Sequence, residues 1–155
     1  MIVRRFALAP ALAAAAFALA GCGMMGSTSS SSSTPMAQPM MGNAMSATLS
    51  AASEVPANSS SGSGSGSVKL DGNTLSWTVT YSGLSGPVTG AHFHGPAAAG
   101  ANAGVVVPFA GSLASPISGT RQLTAAQTAE LKAGLWYINL HTAANPGGEI
   151  RGQVR

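Results

Sequence analysis

At 155 residues, with a net charge of +3, 7 % charged residues and one cysteine, the chain has room for one modest domain and little ionic chemistry. Four acidic residues against seven basic ones offer no close carboxylate pair for hydrolysis and no basic patch for nucleic acid, and a single cysteine excludes an intramolecular disulfide. Two of the basic residues, Arg4 and Arg5, fall in an N-terminal leader, which leaves five against four in the rest.

The leader comes first. Met1-Ile2-Val3-Arg4-Arg5 is a basic start that runs into an Ala/Leu-rich apolar segment, 6–20, broken only by Pro10. This is the pattern of a secretory signal, with an apolar core too short to span a bilayer as a helix. It ends in Leu19-Ala20-Gly21-Cys22, which resembles the lipobox of bacterial lipoproteins. The resemblance implies removal of 1–21 and acylation of Cys22, which would anchor the protein to a membrane. Ordinary secretory cleavage, leaving a free thiol, is the alternative. Gly23, rather than Asp, follows the cysteine, so by the same resemblance the outer membrane is favoured in a Gram-negative cell envelope.

Residues 22–45 are rich in Ser, Met, Pro, Gly and Ala and have no apolar period, so they read as a disordered tether. Such a tether would carry a domain about 25 Å from its anchor by flexible-chain scaling. Its methionines are Met24, Met25, Met36, Met40, Met41 and Met45, and the last four lie nearest the domain. Thioether sulfur is a soft donor suited to Cu(I), which makes Met36, Met40, Met41 and Met45 candidate metal donors. The bland reading is that Met is simply a common residue of a biased linker.

The folded domain is predicted over 46–155. Residues 47–50 form a short strand, 59–67 a Ser/Gly loop and 67–70 a second strand, with Asp71-Gly72-Asn73 as a turn. Residues 75–81 alternate cleanly, Leu75, Trp77, Val79 and Tyr81 on one face and Ser/Thr on the other, as a half-buried antiparallel strand does. Strands follow at 88–93 and 104–109, with Pro108 suited to an edge. Thr124 and Gln127 make a capping box for one short helix, 125–133, closed by Gly134. Strands at 135–141 and 149–154 complete the set. About seven short strands and one helix predict a mainly β protein, an antiparallel β-sandwich.

All three histidines lie in or at the end of two of these strands, His94 where the 88–93 strand runs into a tight turn. Successive strand side chains alternate faces, so His92 and His94 point one way, roughly 7 Å apart along the strand, and Phe93 the other. In the next-to-last strand Trp136, Ile138 and Leu140 form the core set, leaving Tyr137, Asn139 and His141 outward. In the last strand Ile150, Gly152 and Val154 go inward and Glu149, Arg151 and Gln153 outward. Three outward imidazoles can hold one metal ion, copper before zinc given nitrogen donors beside a Met-rich tether. Tyr137, Asn139 and Glu149 are then candidates for holding the imidazole N–H groups. Against this stand plainer roles: histidines that order the Gly95-Pro96 and Asn145-Pro146 turns, and an exposed Glu149–Arg151 ion pair worth at most about 1 kcal/mol.

Leu75-Ser76-Trp77, Ala91-His92-Phe93-His94-Gly95-Pro96-Ala97, Leu123-Thr124, Tyr137-Ile138-Asn139-Leu140-His141-Thr142 and Pro146-Gly147-Gly148-Glu149-Ile150-Arg151-Gly152-Gln153 together resemble the CHRD domain, named for chordin, over nearly all of 46–155. That family occurs in exported bacterial proteins and has no agreed enzymatic activity, so the resemblance implies a fold more than a function. A weaker likeness is to copper/zinc superoxide dismutase, in which a His-x-His strand supplies copper ligands. The chain lacks that family's further histidines and cysteine pair, so dismutation is not expected. Two functions stay open: a membrane-anchored copper-binding module of the cell envelope, and a metal-independent adhesion or protein-interaction module. No catalytic triad or cofactor loop is present, an enzyme is not expected, and the protein partner is unspecified.

Overall fold

The computed structural model describes residues 43–155. The leader, Cys22 and the methionines Met24, Met25, Met36, Met40 and Met41 lie outside the described residues.

Eight strands form one antiparallel sheet: β1 (Asn43–Ser50), β2 (Ser63–Asp71), β3 (Thr74–Ser82), β4 (Val88–His94), β5 (Val105–Pro108), β6 (Ile117–Gln122), β7 (Tyr137–Thr142) and β8 (Ile150–Gln153). A single 3-10 turn, Ala51–Ser53, follows β1, and one helix, α1 (Ala125–Lys132), precedes β7. The strand order is β5-β4-β7-β8-β1-β2-β3-β6. The sheet folds over on itself into a nearly closed, barrel-like sandwich, as the approach of β2 to β7 shows: a Cβ at Gly66 would lie 2.6 Å from Ile138 Cδ1.

The alternating strands bury the side chains their patterns predict. Leu75, Val79, Phe93, Trp136, Ile138, Leu140, Ile150 and Val154 are fully buried, and Trp77 is nearly so. Trp77 stacks on Phe109 at 4.9 Å and meets Phe93 edge-on at 5.4 Å, which ties β3 to the β4–β5 side of the sandwich. Aromatic pairs of this kind add about 0.5–1.5 kcal/mol beyond the area they bury. The capping box at the start of α1 is present in full, with Thr124 Oγ1 accepting from Gln127 N and Gln127 Oε1 accepting from Thr124 N.

Three expectations change. The folded unit begins by Asn43 rather than Ser46, because β1 pairs with β2 along its whole length, from Asn43 opposite Leu70 to Ser50 opposite Ser63. Met45 is therefore a strand residue, opposite Val68 and packed on the core, and not a tether donor. Of the Ser/Gly stretch 59–67 expected as a loop, 63–67 is the first half of β2. Its glycines serve close packing: a Cβ at Gly64 would lie 2.7 Å from the Thr80 carbonyl oxygen. The eighth strand, β6, carries one apolar residue, Ile117, and lies at the sheet edge beside β3.

Candidate metal site

The outward face of β4 and β7 carries the histidines, and the strand register decides how they meet. β4 pairs antiparallel with β7, His94 opposite Tyr137, His92 opposite Asn139 and Gly90 opposite His141. His141 is thus the diagonal neighbour of His92, within reach on one face of the sheet. The ligand nitrogens of His92, His94 and His141 all lie within 4.8 Å of one another. His92 Nδ1 and His141 Nε2 are 3.2 Å apart.

Backbone carbonyls fix two of the three rings. His94 Nδ1 lies 3.0 Å from the Ala103 carbonyl oxygen, and His141 Nδ1 lies 3.0 Å from that of Pro146. A carbonyl only accepts, so each Nδ1 carries the proton and each Nε2 presents a lone pair. This is the arrangement that outer partners impose on metal-ligating histidines. His94 Nε2 is buried with no hydrogen-bond partner. Burial, then the neighbouring imidazoles, holds His92 below the ordinary histidine range. Burial likewise lowers His94, against the Ala103 carbonyl, which favours its protonated form. Both rings are neutral at neutral pH, as metal ligation requires.

The donor set fits a single ion. Metal–nitrogen bonds of about 2.0–2.1 Å place ligand nitrogens roughly 3.3–3.6 Å apart, so the widest separation must contract by about 1 Å or a little more, within reach of small ring rotations. His94 is buried, while His92 and His141 are only half-buried, which leaves the solvent side free for a further ligand. Gly90 keeps that side bare, since a Cβ there would lie 3.2 Å from His92 Cε1.

A family model, the CHRD domain, matches residues 45–154. The chain belongs to the CHRD-domain family. No curated protein and no solved structure matches it. The match covers the folded unit and both histidine-bearing strands.

The outward face of this CHRD domain is not the open surface its sequence pattern predicts. Tyr137, Asn139, Glu149 and Arg151 are all buried, because two connecting segments, 51–62 and 95–104, fold across them. Tyr137 does not hold an imidazole N–H itself; its ring stacks on His94 at 4.9 Å with the planes 5° apart. Its hydroxyl accepts from Ala103 N at 3.1 Å and lies 3.3 Å from the Ala103 oxygen that also receives the His94 proton.

Asn139 and Glu149 do not hold the histidines. Asn139 lies over Gly148 beside Glu54: a Cβ at Gly148 would come within 2.6 Å of Asn139 Nδ2 and 2.8 Å of Glu54 Oε1. Glu149 is neither a partner of the imidazoles nor half of an exposed ion pair with Arg151. Its carboxylate accepts from Ser60 Oγ at 2.6 Å, Ser85 N at 2.7 Å, Ser85 Oγ at 2.6 Å and the Thr142 hydroxyl. Burial alone would raise its pKa, but these four donors outweigh it and hold the group at about 2. Glu149 is a structural knot joining the 51–62 segment, the β3–β4 connection and β7.

Arg151 has a different role, which the sequence pattern did not show. Its guanidinium lies 3.4 Å from the centre of the Tyr137 ring and donates to Asn102 Oδ1 at 2.9 Å and to the Ala101 carbonyl. It thereby fastens the 95–104 segment whose Ala103 orients His94. No local signal marks Ala103 or Pro146, because any residue supplies a carbonyl.

Proposed function

We propose that this CHRD domain is a metal-binding module, taking copper before zinc at His92, His94 and His141, and held to the cell envelope through lipidated Cys22. The observation that carries the reading is the pair of outer bonds, His94 to Ala103 and His141 to Pro146, which turn two Nε2 lone pairs toward His92. A histidine used only to order a turn has no need of a buried, unpartnered Nε2, and His94 has one. Leaving such an atom dry costs about 1–3 kcal/mol, which a bound ion would offset. The Met-rich segment before the domain would add soft donors near the anchor, without Met45.

Copper and zinc titration of the full-length protein by calorimetry, with metal analysis, tests this beside the triple His→Ala variant. One equivalent bound by the wild type and lost in the variant supports the reading; equal binding in both removes it. The anchor has its own test, since Cys22→Ser should move the protein from the detergent phase to the aqueous phase on phase separation. An adhesion role draws less support: among the described residues Val105 is the one large apolar side chain left exposed.

A further inference from the structure

We propose that the three-histidine site selects Cu(I) over Cu(II), and that the buried cation of Arg151 sets this preference from behind Tyr137. The inference rests on the copper reading above and adds an oxidation state to it.

Every candidate donor is a neutral imidazole, so nothing in the ligand set itself favours a doubly charged ion. Neither nearby carboxylate is part of the histidine cluster. Glu149 is held by four donors on the far side of the loop knot. Glu54 faces Asn139 across Gly148 and feels Arg151, but burial raises it to about 7, so it offsets the guanidinium only in part at neutral pH. What does stand beside the site is a positive charge. Arg151 is 2 % exposed, and its hydrogen bonds go to two neutral acceptors, Asn102 Oδ1 and the Ala101 carbonyl.

The three groups form a column. Guanidinium lies over phenol ring at 3.4 Å, and phenol ring lies over imidazole at 4.9 Å in nearly parallel planes. One aromatic ring therefore separates a fixed cation from the first metal ligand, and no water layer intervenes to screen it. In so poorly solvated a place a unit charge opposes the second charge of Cu(II), while Cu(I) meets half of that repulsion. The same term disfavours Zn(II). Imidazole nitrogen suits either oxidation state of copper, so the charge behind the ligand is what discriminates.

The test measures both affinities of the full-length protein. Cu(I) is competed anaerobically against bicinchoninate, and Cu(II) against nitrilotriacetate. Removing the cation in Arg151→Gln should lower the Cu(I)-to-Cu(II) affinity ratio by roughly tenfold, and Arg151→Lys should restore most of it. Because Arg151 also fastens a loop, a second variant keeps the arginine and neutralises it. Asn102→Asp puts a carboxylate against the guanidinium with almost no change of shape, at the cost of the Asn102 Nδ2 bond to the Val55 carbonyl, and should lower the ratio in the same direction. An unchanged ratio in Asn102→Asp and Arg151→Gln overturns the charge argument and leaves copper binding standing. Failure of the wild type to bind either oxidation state above the triple His→Ala variant overturns both.

Discussion

His92 Nδ1 lies 3.2 Å from His141 Nε2, and because His141 gives its own proton to Pro146, the hydrogen between them belongs to His92. A metal ion taken up by His92 at Nδ1 would require that proton to sit on Nε2 instead, a change of tautomer with no change of charge. His92→Ala removes the ligand altogether. Its affinity for copper should fall by roughly a hundredfold or more, beyond the usual cost of losing an outer partner. His92 is half-buried, so unfolding in denaturant should change by less than about 1 kcal/mol. Retained affinity in calorimetry would count against the site.

Tyr137→Phe tests the second layer. The ring that stacks on His94 stays, while the hydroxyl that braces Ala103 goes. Copper affinity should fall by about tenfold with the stoichiometry unchanged, since His94 keeps its bond to a less firmly held carbonyl. A variant that binds as tightly as the wild type would show that Ala103 is fixed by Gly95, Gly104 and Arg151 alone.

Two buried carboxyls should give the stability an uncommon dependence on pH. Glu149, held at about 2, contributes stability that is complete above its ordinary 4.5 and is lost as pH falls through about 2. Glu54 runs the other way. Burial, opposed by Arg151, pushes it up to about 7, so its contribution is complete below 4.5 and is lost as pH rises through about 7. The denaturation midpoint should therefore peak near pH 5 and decline toward pH 8. In Glu54→Gln the decline between pH 5 and 8 should flatten while the acid limb stays, as a series of urea titrations would show.

Gly148 has φ +132°, and the position its Cβ would take is already filled by Asn139 and Glu54. Gly148→Ala combines a backbone conformation that L-residues avoid with that overlap, and should cost about 2–4 kcal/mol in chemical denaturation. Gly147→Ala, where a Cβ meets nothing within 4 Å, should cost less than about 1 kcal/mol and serves as the matched control.

The elements legible in the sequence are those whose partners are chemically plain. The alternation of Leu75, Trp77 and Val79 names a core face without reference to anything else, and the face shared by His92, His94 and His141 follows from strand parity alone. The first half of β2 was hidden because its small residues, Gly64 and Gly66, answer to Thr80 and Ile138 far along the chain rather than to local flexibility. The burial of Glu149 and Arg151 was hidden for a similar reason. Their alternation marks the face opposite the core, and nothing local reveals that the 51–62 and 95–104 segments return to cover it. Carbonyl partners such as Ala103 and Pro146 leave no trace in residue identity at all.

β8 is the last of the eight strands in chain order, yet it stands in the middle of the sheet, between β7 and β1. Until it is made, β5-β4-β7 and β1-β2-β3-β6 are two separate blades with no backbone hydrogen bonds between them. The seam then closes at residues far apart in sequence: Ser46 and Arg155 exchange a reciprocal pair of backbone bonds at 2.7 and 2.9 Å. A nascent chain short of β8 has no native barrel to settle into, so closure waits for the strand that also brings in Arg151. The same four-residue segment therefore times the closing of the barrel and delivers the cation that stands behind the histidines.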